Sequence, residues 1–149
     1  MRALIAIAKA LGDPNRVRIV LALSERGELC VCQLQELLRL APSTTSKHLA
    51  VLSGAGLLDA RREGRWSYYR LAEEEPLPGA RGVVEWACRE AAAASAAQAD
   101  RARLDAILSH TPEELCQLQA QGLACCSSAP ATRAAARSPK ATPARSRRK

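Results

Sequence analysis

Two cysteines two residues apart, Cys30 and Cys32, are the side chains whose type and spacing point most directly to chemistry. Thiolates are preferred ligands of soft metal ions and thiophilic metalloids. A single cysteine is often only a small buried hydrophobe. A pair at positions i and i+2, in a chain without an export signal, favours metal binding or redox chemistry, because reducing compartments disfavour structural disulfides. We therefore predict a thiolate site at residues 30–32.

The spacing of the pair predicts a mechanism as well as a site. The pattern from about Cys30 to Leu40 predicts a helix, and successive residues of an ideal helix are rotated by roughly 100°. The two thiols would then lie about 200° apart, too far to bind one ion unless the first helical turn distorts. Ligand binding and regular helix geometry would compete. A ligand would therefore disturb the helix that follows, and any partner that binds that helix in its regular form would weaken ligand binding by the same factor.

The elements around the pair predict a mainly α-helical domain with a small β-hairpin, which is the pattern of a winged helix-turn-helix. Asp13-Pro14 supplies an N-cap and a first-turn proline for the second helix, and Gly54 and Gly56 end the fourth. Glu63-Gly64-Arg65 joins two strands in a short turn. The predicted helices cover residues 2–11, about 14–24, about 30–40 and 42–54, and the predicted strands cover 57–62 and 66–71.

The fourth predicted helix begins with short or donor-rich side chains that are suited to base edges in the major groove. These are Ser43, Thr44, Ser46, Lys47 and His48. A solvated polar face is the alternative for the helix, and a packing role is the alternative for His48. Near the hairpin tip, Arg61, Arg62 and Arg65 would lie along phosphates or the minor groove. Residues 39–70 carry six basic and two acidic residues, an excess that favours DNA.

The C-terminal half divides by composition. An alanine-rich helix is predicted from 81 to 109, and its apolar stripe is too long for one small core, so we expect it to pack against its copy in a homodimer formed through terminal helices. Residues 1–109 would form this DNA-binding and dimerisation domain. Residues 110–126 would form a short helix, started by a Thr111–Glu114 capping box, and a cysteine segment. Residues 127–149 hold seven basic and no acidic residues and predict a disordered basic tail.

Composition limits the other possibilities. The net charge is +7, but residues 1–126 hold 15 basic and 15 acidic side chains, so the excess lies in the tail. No stretch reaches the roughly 18 apolar residues of a membrane span, and the first twelve residues resemble an amphipathic helix more than a signal peptide. We therefore expect a cytoplasmic protein that does not bind membranes. No Ser-His-Asp set, phosphate loop or paired-carboxylate pattern predicts an enzyme.

Four segments carry a resemblance to a known family: ELCVC at 28–32, SKHL at 46–49, GLL at 56–58 and GRWSYYR at 64–70. They resemble the ArsR/SmtB family of metal-sensing repressors over about residues 2–110. Within that family the chain is most similar to the arsenic- and antimony-responsive repressors. The resemblance implies a winged-helix homodimer on double-stranded operator DNA. It would block a resistance operon until As(III) or Sb(III), the inducer, binds cysteines on the third helix.

The chain departs from the arsenical repressors at the third ligand. Those repressors have a further cysteine where this chain has Gln35. The third thiolate must then come from another cysteine of the chain, from the partner subunit or from a small thiol. The remaining cysteines are Cys88, Cys116, Cys125 and Cys126, of which Cys88 is expected to be packing. Because some relatives bind arsenicals with cysteine pairs near the C-terminus, Cys125-Cys126, with Cys116, could supply the third ligand or a second site.

Other functions remain as alternatives. A redox sensor of the same fold would oxidise Cys30–Cys32 or Cys125–Cys126. Relatives that sense cadmium or lead add cysteines from an N-terminal arm, which this chain lacks, and zinc sensors use a His/Asp set on the last long helix, where residues 81–109 have no His. A metal-trafficking protein without a DNA role is a further alternative, which the helix-turn-helix and its local charge disfavour.

Overall fold

The structure, a computed structural model, describes residues 1–75 and 78–122, with side chains as far as Gln119. None of the helices in these ranges is long and apolar enough to cross a membrane. The elements, in chain order, are α1 (Arg2–Leu11), α2 (Pro14–Arg26), β1 (Glu28–Cys30), α3 (Val31–Leu38), α4 (Pro42–Gly54), β2 (Leu58–Glu63), β3 (Trp66–Leu71), α5 (Ala80–Ala92), α6 (Ser95–Leu108) and α7 (Pro112–Gly122). The predicted mainly helical fold with a β-hairpin is confirmed.

The second helix begins and ends as its sequence predicts. The Asp13 carboxylate accepts hydrogen bonds from the backbone N–H groups of Asn15 and Arg16, at 2.9 and 3.2 Å, and so caps two donors that lack helical partners. At the other end, Gly27 adopts φ 80 and donates its N–H to the Leu23 carbonyl at 2.8 Å. A positive φ favours glycine, so the chain leaves α2 at this residue and turns directly into β1.

The sheet has three antiparallel strands in the order β1-β3-β2, one more than predicted. Residues 28–30 were expected to lead into the third helix, but they pair with residues 68–70 of β3. This pairing satisfies backbone groups on β3 that the two-stranded hairpin leaves open. The hairpin turn is Gly64-Arg65, with φ 57 at Gly64. Cys30 is therefore the last residue of a strand as well as the residue before a helix.

A core of aliphatic side chains joins the helices to one face of the sheet. Leu58 is buried on that inner face, where Tyr69 and Leu71 pack against the core. Each fully buried Leu or Ile contributes roughly 1.5–3 kcal/mol relative to exposure. The largest fully buried side chains include Ile7, Ile19, Leu23, Leu34, Leu37, Leu49, Leu52 and Leu104. They come from α1, α2, α3, α4 and α6, so the helix-turn-helix is fixed to the rest of the domain.

The single long helix predicted for 81–109 is wrong. The chain forms α5 and α6 with a break at Ala93-Ala94, where Ala94 is extended at φ −72 and ψ 143. Tertiary contacts explain the break, because α6 turns onto α2 and α3 and buries Ala97, Leu104 and Ile107 there. Arg18 of α2 also forms two hydrogen bonds with the Asp100 carboxylate, at 2.6 and 2.7 Å. Alanine has high helix propensity but little apolar surface, so these contacts override it.

Candidate thiolate site and nucleic-acid interface

Cys30 caps helix α3 with its thiol. Its backbone is extended, at φ −73 and ψ 150, and its sulfur accepts a hydrogen bond from the Cys32 N–H at 3.3 Å. In return, the Cys30 N–H donates to Oε1 of Gln33 at 2.8 Å. This is a reciprocal capping box in which sulfur takes the place usually held by a Ser or Thr hydroxyl.

The expectation that both cysteines lie within regular helix, with their thiols on opposite sides, is wrong. Cys30 precedes the helix, and its side chain turns over the first helical turn, so the Cys32 thiol donates a hydrogen bond to the Cys30 sulfur. This bond, together with the backbone N–H donors, outweighs burial and lowers the pKa of Cys30 to about 7. Both cysteines are fully buried. Two sulfurs are therefore adjacent at the start of α3, and their hydrogen bonds favour the thiolate form of Cys30.

Helix α7 lies beside this thiol pair. Gln119 donates its side-chain N–H to the Cys32 carbonyl at 3.3 Å, and Trp66 of the wing donates its indole N–H to Oε1 of Glu113 at 3.0 Å. The Glu113 charge opposes ionisation of Cys30. The predicted Thr111–Glu114 capping box is confirmed, with 2.8 and 3.3 Å bonds. Cys116, half-buried, lies on this helix between its two anchors.

The other cysteines are placed differently. Cys88 is half-buried on α5, where it packs against the core, and burial raises its pKa, as expected of a packing thiol. None of the four cysteines in the described ranges forms a disulfide. Within those same ranges, no three His, Cys, Asp or Glu side chains are already arranged to hold a metal ion. Cys125 and Cys126 lie outside the described residues, as does the basic tail.

The first turns of α4 present a polar surface. Ser43, Ser46 and Lys47 are exposed, and Thr44 is half-buried. Thr45, between them, is buried, and its hydroxyl has no hydrogen-bond partner. Ala41 precedes the helix without a side-chain cap, because alanine has no side-chain acceptor for the first-turn N–H groups. The positive end of the α4 dipole therefore lies beside short, exposed donor side chains.

His48 faces the domain more than the solvent. Its side chain is 14% exposed, and Nδ1 lies 3.9 Å from Oδ1 of Asp13, the residue that caps α2. This contact between the N-terminal part of α4 and the start of α2 supports a packing role for His48.

The three wing arginines occupy different environments. Arg61 donates to both Glu28 carboxylate oxygens, at 2.7 and 2.6 Å, and to Glu63 at 2.6 Å. Arg62 is exposed on the opposite face of β2, and the Arg65 guanidinium lies 4.7 Å from the centre of the Trp66 ring. The Glu28–Arg61 contact was not predicted, because it depends on the pairing of β1 with the hairpin. Arg61 is largely neutralised, whereas Arg62 and Arg65 remain available at the tip.

The fold and the exposed polar helix define a DNA-binding regulator of the winged helix-turn-helix class. Residues 13–60 match the sequence model of a bacterial regulatory protein of the arsR family. The arsenical resistance operon repressor of Escherichia coli (strain K12) is 44% identical over 87 residues, which are 58% of this chain and 74% of that protein. The arsenic resistance transcriptional regulator ArsR1 of Pseudomonas putida is 47% identical over 70 residues, 47% of this chain and 55% of that protein. The chain belongs to the ArsR family.

Two further similar proteins are a cadmium resistance regulator and a protein of known structure. A cadmium resistance transcriptional regulatory protein, the CadC homolog of Staphylococcus aureus, is 41% identical over 68 residues, 46% of this chain and 56% of that protein. Among solved structures, HlyU from Vibrio cholerae N16961 is similar at 28% identity and a TM-score of 0.52, covering 60% of this chain and 91% of that one. These relatives are transcriptional regulators and not enzymes, and their names include both arsenic and cadmium resistance.

Proposed function

We propose that the chain represses a metalloid-resistance operon and leaves its operator when As(III) or Sb(III) binds Cys30 and Cys32. The observation that carries the proposal is the buried thiol pair at the start of α3, directly before the DNA-reading helix α4. The pair supplies two adjacent soft ligands, and the lowered pKa of Cys30 provides thiolate at neutral pH. The arsenical repressors among the relatives support the same inducer class.

In the DNA-bound state, α4 would enter the major groove with its N-terminal side chains on base edges. Ser43, Ser46 and Lys47 are the exposed groups on that surface, and Thr44 and the half-buried His48 lie beside them. Arg62 and Arg65 would contact phosphates or the minor groove from the wing, with Arg61 more important for holding the wing to β1. Phosphate contacts of this kind would make affinity fall steeply with salt.

A second copy of the chain would complete the repressor. α1 and α5 pack together and expose large apolar side chains. Leu4 is 51% exposed, Ile5 47% and Trp86 58%. A group of apolar side chains on one surface is typical of a protein–protein contact. A two-fold dimer through this face would present two α4 helices to half-sites one helical turn apart. The expected homodimer thus uses α1 and α5, and α6 serves mainly to pack on α2 and α3.

Inducer binding would act on DNA through the cap of α3. A metalloid bound to the Cys30 sulfur competes with the cap hydrogen bond from the Cys32 N–H. Cys30 is also paired with Tyr68 of the wing strand β3, so a change at this residue reaches both α3 and the wing. Inducer and operator would therefore favour different arrangements of α4 and the wing, and each would weaken binding of the other by the same factor.

Fluorescence anisotropy of reduced protein on DNA from upstream of its own gene tests the proposal. Arsenite or antimonite should release the DNA from the wild-type chain. The Cys30→Ser/Cys32→Ser variant should bind DNA with wild-type affinity and resist release, because serine oxygen is a poor ligand for a thiophilic metalloid. Release that persists in this variant would contradict the assignment of the ligands. Cys88→Ser is the matched control and should respond as the wild type does.

The same titration separates the alternatives. Release by cadmium and not by arsenite would support a cadmium sensor, which the CadC homolog makes a specific alternative. Release by peroxide without metalloid would support a redox sensor, because a thiolate beside a second thiol is readily oxidised. Failure to bind the upstream DNA at low salt would count against a repressor and revive the trafficking hypothesis.

A further inference from the structure

Helix α7 carries a cysteine, Cys116, between its contact with the Cys32 backbone and its contact with the wing. Gln119 contacts the Cys32 carbonyl, and Glu113 contacts Trp66, whose strand neighbour Tyr68 pairs with Cys30. These two anchors are six residues apart, which is roughly 9 Å along a helix. Cys116 lies midway between them, three residues from each and on the same side of the helix.

We propose that Cys116 is the third thiolate of the metalloid site. The inference rests on the proposed function and supplies the ligand that Gln35 cannot. As(III) enters as arsenous acid, three As–S bonds form, three As–OH bonds break, and the three thiol protons leave with the hydroxides as three molecules of water. Arsenic remains trivalent, so no oxidant or reductant is required. The soft donor set of three sulfurs matches a thiophilic metalloid.

Cys88, the other half-buried cysteine of the described residues, is in the wrong place for this role. It lies on α5 beside Ser24 and Glu25 of α2, whereas α7 contacts the backbone of Cys32. Both Cys88 and Cys116 are intermediate in exposure, so they differ in neighbours and not in accessibility. Cys88 is therefore a matched control for any test of Cys116.

The described thiols do not yet form a closed metal-binding set, so binding would draw α7 and the cap of α3 together. The contact between α7 and Trp66 would transmit this movement to the wing. Glu113 holds the indole of Trp66 at the start of β3, next to the hairpin turn. A movement of α7 towards Cys30 would change that contact and so the position of the wing. α7 would then link the metalloid to the DNA-binding wing as well as complete its coordination.

X-ray absorption at the arsenic edge tests the ligand directly. The full chain is used as Cys125→Ser/Cys126→Ser, with a phosphine reductant in place of a small thiol, so that Cys116 and Cys88 are the remaining candidates. Three sulfur neighbours are expected in this background and in its Cys88→Ser derivative. Adding Cys116→Ser should leave two sulfurs and one oxygen and weaken arsenite binding more than about tenfold, since even outer-shell changes cost a metal site that much. Unchanged DNA binding by the variant would verify its fold.

Alkylation mapping provides a second measurement. Arsenite should protect Cys116 from maleimide labelling, as read by mass spectrometry, and should leave Cys88 labelled at its original rate. Three sulfurs retained after Cys116→Ser, or equal labelling of Cys116 with and without arsenite, would overturn the inference. The proposed function would survive that result if arsenite still released DNA in a manner dependent on Cys30 and Cys32. Absence of arsenite binding by the wild-type chain would defeat both.

Discussion

At the scale of single residues, Cys30 is both the cap of α3 and a ligand of the proposed metalloid site. Its sulfur caps α3, a task that a Ser or Thr hydroxyl performs more commonly. A sulfur is a softer ligand than a hydroxyl oxygen, and the hydrogen bonds that the Cys30 sulfur accepts favour its thiolate form. A ligand at this sulfur necessarily disturbs the cap. In the proposed function, the sensor and the helix cap that it controls would thus share one atom, the Cys30 sulfur.

The wing arginines permit a test of which cation contacts DNA. Arg62→Ala should weaken DNA binding and reduce the slope of log affinity against log salt by about one, as expected for loss of a phosphate contact. Arg61→Ala should leave the slope nearly unchanged, because Glu28 and Glu63 already neutralise this guanidinium. The measurement is anisotropy on operator DNA at several salt concentrations.

Equal losses of slope in these two variants would contradict the assignment and return Arg61 to the interface. Arg89→Ala provides a control for the loss of one positive charge, because Arg89 is exposed on α5 and belongs neither to α4 nor to the hairpin tip. Its salt slope should match the wild type.

At the scale of elements, residues next to helix ends predicted where helices begin and end. Contacts between distant segments caused the differences from the prediction. The start of α2 was predictable because Asp13 and Pro14 act within one turn. Strand β1 was not, because its partner Tyr68–Arg70 lies some forty residues further along the chain. The break between α5 and α6 was not predictable from the sequence either, because a run of alanines favours a continuous helix whatever packs against it. The thiolate site stays a prediction, and the adjacent placement of Cys30 and Cys32 was not predicted, because Cys30 ends strand β1 and lies outside the helix.

Helix α4 offers a prediction about capping. Ala41 stands at its N-cap without a side-chain hydrogen bond, and its extended backbone, at φ −58 and ψ 145, suits a capping hydroxyl. Ala41→Ser should raise the free energy of unfolding by about 1 kcal/mol, because the new oxygen can accept an N–H of the first turn. Urea denaturation measures the change. Ala50→Ser, exposed in the middle of the same helix, should instead lower stability by a few tenths of a kcal/mol.

A stabilisation of the same size at both positions, or at neither, would show that capping is not what limits α4. The comparison also bears on the proposed function, in which the N-terminal turn of α4 would contact base edges. Operator affinity of Ala41→Ser should not decrease, since the substitution adds a small polar group beside Ser43 and removes no contact.

At the scale of the whole molecule, the two ends of α3 are held by different kinds of contact. Arg18 and Arg103 both donate to the Leu37 carbonyl at the C-terminal end of α3, at 3.3 and 3.1 Å, and so tie it to α2 and α6. The N-terminal end carries the thiol cap and the α7 contacts. In the proposed function, a ligand at Cys30 would therefore act on the end of α3 that carries the thiol cap, and not on the end that the two arginines hold.

The exposed apolar surface of α1 and α5 is the proposed dimer face, and a charge placed on it tests the proposal. Trp86→Glu places a charge at the centre of the apolar surface of α1 and α5, so the chain should become monomeric by light scattering while its circular dichroism is unchanged. Operator affinity should fall by roughly 100-fold or more, because the second half-site no longer binds within one molecule. Leu118→Glu makes the same kind of change at a side chain of similar exposure, 54% against 58%, but on α7. This control should remain dimeric. A Trp86→Glu chain that stays dimeric would move the interface to another surface, and a monomer with full operator affinity would mean that one copy is sufficient to bind DNA.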